Sequence, residues 1–476
     1  MDKKYIYILI LLGLLFTSIN KSYAQTLRTG YFDDHFTMRY KINPAFAPDQ
    51  GYIGLIGVSS ISANINSNLS LDQLVYKLPN GEGTCSFLHP SVSSEKFMNT
   101  LKANNYLNSD LEYDLLNVGF YIGDVSFISF DIGIKEISSL NIPKDFFGIF
   151  KEGMINDPSI YDISDLNFSS SSYLQFGIRY SRDLDELISG LRFGVRAKFL
   201  QGLNYMSAKF NKAQITMSSD TWITETDAIL TGYGKGLKFK LNDDGEVEGF
   251  DYDSDEAGLS GSGVALDFGL SYTVSAGSIL DGLQVSASIT DLGKIKYNSD
   301  NRISARANGS VTHNGFDNLA DEDNDLEDDI DNLGDDLSEM LAFTPYIGDN
   351  LNDDYKLNSK LNLAIKYPFL LDKMSIGVLY SQRLNSDLDY YSKQITGIYT
   401  LIPCHWFSLS TSYTKLDKGY TIGGLIDITP NKGLNFFLGM ELMSLNLTSD
   451  YIPLDELNLS LQTGISIAIG GNKYKK

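Results

Sequence analysis

Four histidines, His35, His89, His313 and His405, are the side chains best suited to acid–base or metal chemistry. No two of them stand one helical turn apart, the spacing that would let a helix offer both rings to one ion. His405 precedes Trp406-Phe407, so an interfacial position accounts for it more simply than a catalytic one. The chain has neither a Gly-x-Ser-x-Gly elbow nor a phosphate loop ending in Lys-Ser/Thr. Gly232-Tyr233-Gly234-Lys235-Gly236 is glycine-rich but lies between β-forming segments, so no helix N-terminus follows to receive a phosphate. These residues predict a protein that is not an enzyme and carries no cofactor.

Two acidic runs place carboxylates on alternate residues: Asp251, Asp253, Asp255 and Asp321, Asp323, Asp325. Calcium loops use that spacing, with a glycine at the sixth position for the turn. Glu256 and Leu326 stand there instead, so these aspartates are weak calcium candidates beside the alternative of a solvated acidic loop. Twelve carboxylates and no Lys or Arg fall between Asp317 and Glu339. Within them Leu326, Ile330, Leu333, Leu337 and Leu341 recur at helical spacing, which predicts an amphipathic acidic helix in an insert spanning 317–354. The insert would sit over the extracellular mouth or dock a basic partner.

A further group, Arg179, Arg192, Arg196, Lys198 and Lys366, takes its meaning from the strands that carry it. In Leu191 to Phe199, apolar Leu191, Phe193, Val195, Ala197 and Phe199 alternate with Arg192, Gly194, Arg196 and Lys198. The same alternation recurs in Ile128 to Ile134, Leu174 to Tyr180, Val264 to Tyr272, Leu283 to Ile289, Leu361 to Tyr367, Met374 to Tyr380, Leu434 to Leu442 and Leu457 to Ile469. With flanking residues each run spans roughly nine to thirteen positions, enough for a tilted strand to cross a bilayer. Repetition over so many segments predicts an all-β fold, a transmembrane antiparallel barrel of about fourteen strands. The five cations then face the lumen, where they either select a ligand or pair with carboxylates across it.

Other features agree with a barrel. Tyrosines close many runs (Tyr180, Tyr272, Tyr297, Tyr367, Tyr380, Tyr413), which suits an interfacial girdle and also the ordinary β-propensity of tyrosine. Links such as Ile122-Gly123-Asp124-Val125 and Thr429 to Gly433 are tight turns, whereas others are long and acidic. Residues 66–110 and 141–168 fit the alternation poorly, include a helix-like patch from Ser94 to Tyr106, and are expected in a plug or loops.

The chain of 476 residues opens with Lys3-Lys4, a twelve-residue apolar run from Tyr5 to Phe16, and Ser22-Tyr23-Ala24. Such a run reaches about 18 Å as a helix, short of the hydrocarbon thickness, so residues 1–24 read as a cleaved signal peptide. No later window is apolar enough for a membrane helix. A net charge of −22 excludes the cationic surface that nucleic acid requires. Cys85 and Cys404 are too few for a disulfide framework, and spacing does not say whether they pair.

Between leader and first strand lie two prolines, Pro44 and Pro48, which push Asn43 and Ala47 toward extended geometry. A segment of this kind, residues 25–50, is expected as a periplasmic plug in the wide lumen of the barrel formed by 51–476. Asn43-Pro44-Ala45, followed by Gly51, Gly54 and Gly57, resembles the N-terminal pattern of the FadL-like superfamily of outer-membrane fatty-acid transporters. The stretch Gly261 to Tyr272 and the late Ser375-Ile376-Gly377-Val378-Leu379-Tyr380 are similar to an uncharacterised Bacteroidota branch of such barrels. The resemblance implies Asn43, Pro44 and Ala45 as a plug or hatch motif, and movement of a small hydrophobic molecule through a lateral gap. The tail Gly470 to Lys476 departs from it, since the chain does not end on an aromatic residue.

The expectation is therefore a transporter or channel in the outer membrane of a Gram-negative cell, in contact with lipid and a small molecule. The alternative is a scaffold barrel partnering a surface or periplasmic protein. A continuous lumen would favour the first and a packed lumen the second.

Overall fold

The computed structural model describes residues 27–77, 84–275, 280–313, 340–348, 354–370, 373–385, 393–416, 419–430, 433–442 and 457–469. The leader, the core of the acidic insert with Asp321, Asp323 and Asp325, and the last seven residues lie outside that range.

Fourteen strands close into a ring, and we number them in chain order. They are β1 (Gly51–Gly54 and Ser60–Ser67), β2 (Asn104–Ile122), β3 (Ser126–Pro143), β4 (Asn167–Asp183), β5 (Leu191–Met217), β6 (Gly261–Thr273) and β7 (Gln284–Tyr297). The ring continues with β8 (Lys360–Phe369), β9 (Met374–Arg383), β10 (Lys393–Cys404), β11 (Phe407–Leu416), β12 (Gly419–Ile428), β13 (Leu434–Leu442) and β14 (Leu457–Ile469). Each strand pairs antiparallel with the next, and β14 returns to β1 with Gly51 opposite Ile469 and Ser67 opposite Leu457. No helix in the described residues is long and apolar enough to cross a membrane.

Alternation sorts the side chains as a lipid-solvated sheet requires. Phe130, Ile178, Phe199, Leu270, Ile365, Ile376, Ile395, Ile422 and Leu438 are exposed on the outside. Their sequence neighbours Ser129, Asp131, Arg179, Lys198, Gly269, Ser375 and Gln394 face inward. An apolar exterior around a polar interior inverts the arrangement of a soluble barrel. Residues 55–59 interrupt β1 and turn outward through Gly57, whose φ is 81°, leaving Ile56 80% exposed.

Three features depart from the expected pattern. The strands β2 to β5 run 17–27 residues, longer than a bilayer needs, because they continue past the barrel into an overhang. There the upper part of β5 leaves β6 and pairs with the strand Trp222–Gly234, which pairs in turn with Arg302–His313. Parts of 66–110 and 141–168 are thus strand. The remainder, including the helices Ser94–Thr100 and Lys144–Lys151, forms an apolar core with the overhang through Phe97, Phe147, Phe150, Phe210 and Ile215. It is a loop assembly with its own core.

The third departure is Tyr297, expected in the lipid interface and only 1% exposed. In β7 a bulge at Asp291, with φ of 59°, offsets the register so that every later side chain changes face. Tyr297 consequently turns inward onto Tyr205, ring centroids 5.6 Å apart, and onto Tyr233 at 5.4 Å. Tyr272, Tyr367 and Tyr413 are exposed as a girdle would have them.

Candidate functional site

Residues 27–50 have no regular structure beyond two 3₁₀ turns, Arg28–Gly30 and Thr37–Lys41, yet almost every one of them is buried. A segment with so few internal backbone bonds must find partners elsewhere. It finds them on strands from all sides of the ring, which places it within the lumen. The Leu27 amide donates to Gln462 on β14 at 2.9 Å, and Arg28 pairs with Glu441 on β13. Thr29 donates from N and Oγ1 to the same carboxylate, at 3.0 and 2.9 Å. Ser408 on β11 donates to Asp33 at 2.6 Å. Lys41 bridges Glu112 and Asp114 on β2 at 2.9 and 2.5 Å, while Ser288 and Asn362 donate to the Ile42 carbonyl. Tyr121 closes the far end with a 2.7 Å bond to the Pro48 carbonyl.

Tyr40 sits at the centre of this network. The Arg179 guanidinium lies 4.5 Å from its ring centroid and that of Arg196 lies 5.3 Å away, an arrangement in which the ring faces the two cations. Its hydroxyl accepts from Asn117 at 2.9 Å. Arg196 is paired with Asp131, and Arg179 donates to Ser129 and to the Phe46 carbonyl. Lys198 bridges Asp267 at 2.7 Å and Asp291 at 2.6 Å. Lys366 reaches the Phe32 carbonyl and Asp34, both at 3.2 Å, and Arg192 pairs with Asp183. Each of the five cations therefore has a partner in the wall or in the N-terminal segment.

Asn43-Pro44-Ala45 has a docking place that sequence reasoning missed. Asn43 accepts the Ala45 amide at 3.0 Å, folding the tripeptide on itself. It rests against Gly194 and Gly269, which stand opposite each other on β5 and β6. A Cβ on Gly194 would come within 2.1 Å of the Pro44 oxygen, and one on Gly269 within 2.0 Å of the Asn43 side chain. Glycine spacing was visible in the sequence, but not which glycines would meet the segment. At the turn end Asp49 is pushed up to about 6 by burial and by the charge of Asp34.

Asp34, His35, Asp49 and His405 line one small cavity, a juxtaposition invisible in the sequence. No group of three or more His, Cys, Asp or Glu among the described residues could hold a metal. Asp251 and Asp255 are exposed, and Asp253 accepts from the Asp255 amide and stands 3.7 Å from Lys238. Cys85 and Cys404 are not joined by a disulfide.

A closed sheet with a lipid-facing exterior and a polar, filled lumen defines a transmembrane β-barrel of the outer-membrane type. Within that class the chain belongs to a family of unknown function (DUF5723), whose model matches residues 44–441. No curated protein matches it. Among solved structures it is similar to the Pseudomonas putida toluene transporter TodX, at 11% identity over 90% of this chain and 92% of that one, TM-score 0.39. The Ralstonia pickettii toluene transporter TbuX gives 8% identity over 90% and 92%, TM-score 0.40. A Pseudomonas aeruginosa FadL homologue gives 9% over 94% and 98%, TM-score 0.36. The barrel is established by its own strand pairing and not by these likenesses.

Proposed function

We propose that this protein is a non-enzymatic transporter or channel of the FadL-like type in the outer membrane, with residues 25–50 acting as a displaceable plug. Export by the signal peptide 1–24 would deliver it there, and a small molecule would pass when the plug moves. By the resemblance that molecule is hydrophobic. The observation carrying the reading is the nature of the plug's seat. Ion pairs and hydrogen bonds to the wall hold it beside small apolar clusters such as Phe36 with Leu425 and Phe437, and water can replace the polar partners at a net loss of about 1–3 kcal/mol each. A fused apolar core would offer no such exchange.

A tether tests this. The Thr29 and Ser412 hydroxyls are 2.6 Å apart, so the double variant Thr29→Cys/Ser412→Cys would lock plug to wall by a disulfide. In planar bilayers the channel reading expects openings from the untethered protein, none after oxidation, and their return with reductant. One observation favours the scaffold alternative: the lumen is packed around a cavity of only about 60 Å³. A full-length protein that never conducts, while a variant lacking residues 27–48 is a permanent pore, would establish the scaffold reading.

A further inference from the structure

The outer side of β7 changes character near its upper end. Val285, Ala287 and Ile289 face lipid opposite Ile365, Leu363 and Leu361 of β8, and the bulge at Asp291 brings Leu292 onto the same side. From Leu283, just before the strand, to Leu292, a strand tilted by about 40° climbs roughly 23 Å, close to the ~25 Å height of the apolar band on an outer-membrane barrel. The next outward residues are Lys294 and Lys296, both exposed. They stand where hydrocarbon gives way to headgroups, at the end of the ring that carries the long loops and the overhang. In barrels of this type that end is extracellular.

Beside them runs the short strand Asp354–Lys356, paired antiparallel with β7. Tyr355 is buried against Tyr205, which turns the residues on either side of it outward. The register sets Lys356 directly opposite Lys294 and Asp354 opposite Lys296. Like charges directly opposite each other destabilise a ladder. Asp354 reaches diagonally to Lys294 at 2.5 Å, and neither Lys296 nor Lys356 has an ion pair among the described residues. Across the outward side of this ladder three ammoniums therefore meet a single carboxylate, all at the depth of the headgroups.

We propose that this patch binds the phosphate of a phosphorylated glycolipid in the outer leaflet, with Lys296 and Lys356 as its contacts and Lys294 held beside them by Asp354. A phosphate accepts charge-assisted bonds from both ammoniums at once and removes their repulsion. Val264, Leu266 and Leu292, exposed next to the patch, receive the acyl chains of the same lipid. The inference rests on the outer-membrane reading and is independent of transport. Tethering the plug is read by conductance and is blind to this patch, so the two readings fail separately.

Native mass spectrometry of the full-length protein tests the assignment, after release from detergent micelles containing lipid A, dephosphorylated lipid A or phosphatidylethanolamine at equal concentration. The wild type should retain lipid A in preference to the other two. Lys296→Met/Lys356→Met should weaken that binding at least about tenfold, and Lys296→Arg/Lys356→Arg should keep it, as a charge-assisted contact requires. Lys373→Met, an exposed lysine at the short-turn end of the barrel, should change nothing. Heat-modifiable migration on gels confirms that each variant is folded. No preference for lipid A over the two control lipids, or equal weakening by Lys373→Met, would reduce the patch to an ordinary solvated surface and overturn the proposal. Displacement of lipid A by millimolar ammonium phosphate would assign the patch to free phosphate and overturn it as well.

Discussion

Gly194 and Gly269 make the seat of the proposed plug testable by a single methyl group. Neither has the left-handed backbone that only glycine tolerates, so alanine leaves the strand itself unstrained. The clash falls on the plug: a Cβ at Gly194 would lie 2.1 Å from the Pro44 oxygen, 2.3 Å from its carbonyl carbon and 2.5 Å from the Ala45 nitrogen. These are backbone atoms, which cannot rotate away as a flexible side chain would. Overpacking of this kind costs about 1–3 kcal/mol, which shifts the balance of docked and undocked plug by roughly fivefold to a hundredfold. Trypsin reports it, since Arg39 and Lys41 are 4% and 9% exposed and can be cut only when the plug leaves its seat. Gly194→Ala should raise the cleavage rate after these residues by that factor. Gly424→Ala, on the lipid side with nothing within 4 Å, should leave it unchanged. Cleavage of Gly194→Ala at the wild-type rate, or equal acceleration by Gly424→Ala, would refute the seat.

Two other outcomes are expected. Because Asp49 is pushed up to about 6 in the docked plug, against about 3.9 when free, docking is strongest at acid pH and weakens as pH rises through 6. Intrinsic-rate-corrected hydrogen exchange of residues 44–50 should be about tenfold faster at pH 7.5 than at pH 5 on this account, and Asp49→Asn should abolish the difference. Ile376, 56% exposed on β9, faces lipid, so Ile376→Arg should destabilise the inserted barrel by about 2–4 kcal/mol, read as a lower urea midpoint of the heat-modifiable band in liposomes.

Alternation is a local property, legible without any knowledge of partners. Ser129, Asp131 and Gly133 between isoleucines and phenylalanines specify one wet and one greasy face wherever the strand goes. Repeated over enough segments, that local rule leaves closure as the way to pair every edge in lipid. The barrel, its class and the approximate strand number were therefore present in the sequence. So was the reason residues 25–50 need outside partners, since two prolines and no periodicity cannot satisfy their own backbone.

What the sequence could not supply is any relation that exists only once the ring is closed. Arg28 meets Glu441 across 413 positions of chain, and Pro44 meets a notch formed by glycines on two neighbouring strands. Neither depends on a pattern within either stretch. Tyr297 shows the same limit at short range, because one bulged residue reversed the faces of everything after it. The small cavity in the lumen is the extreme case. Lys135, Gln175 and Thr290 reach it from β3, β4 and β7, strands with little in common except that the curvature of a fourteen-stranded wall turns their inward faces toward the same space.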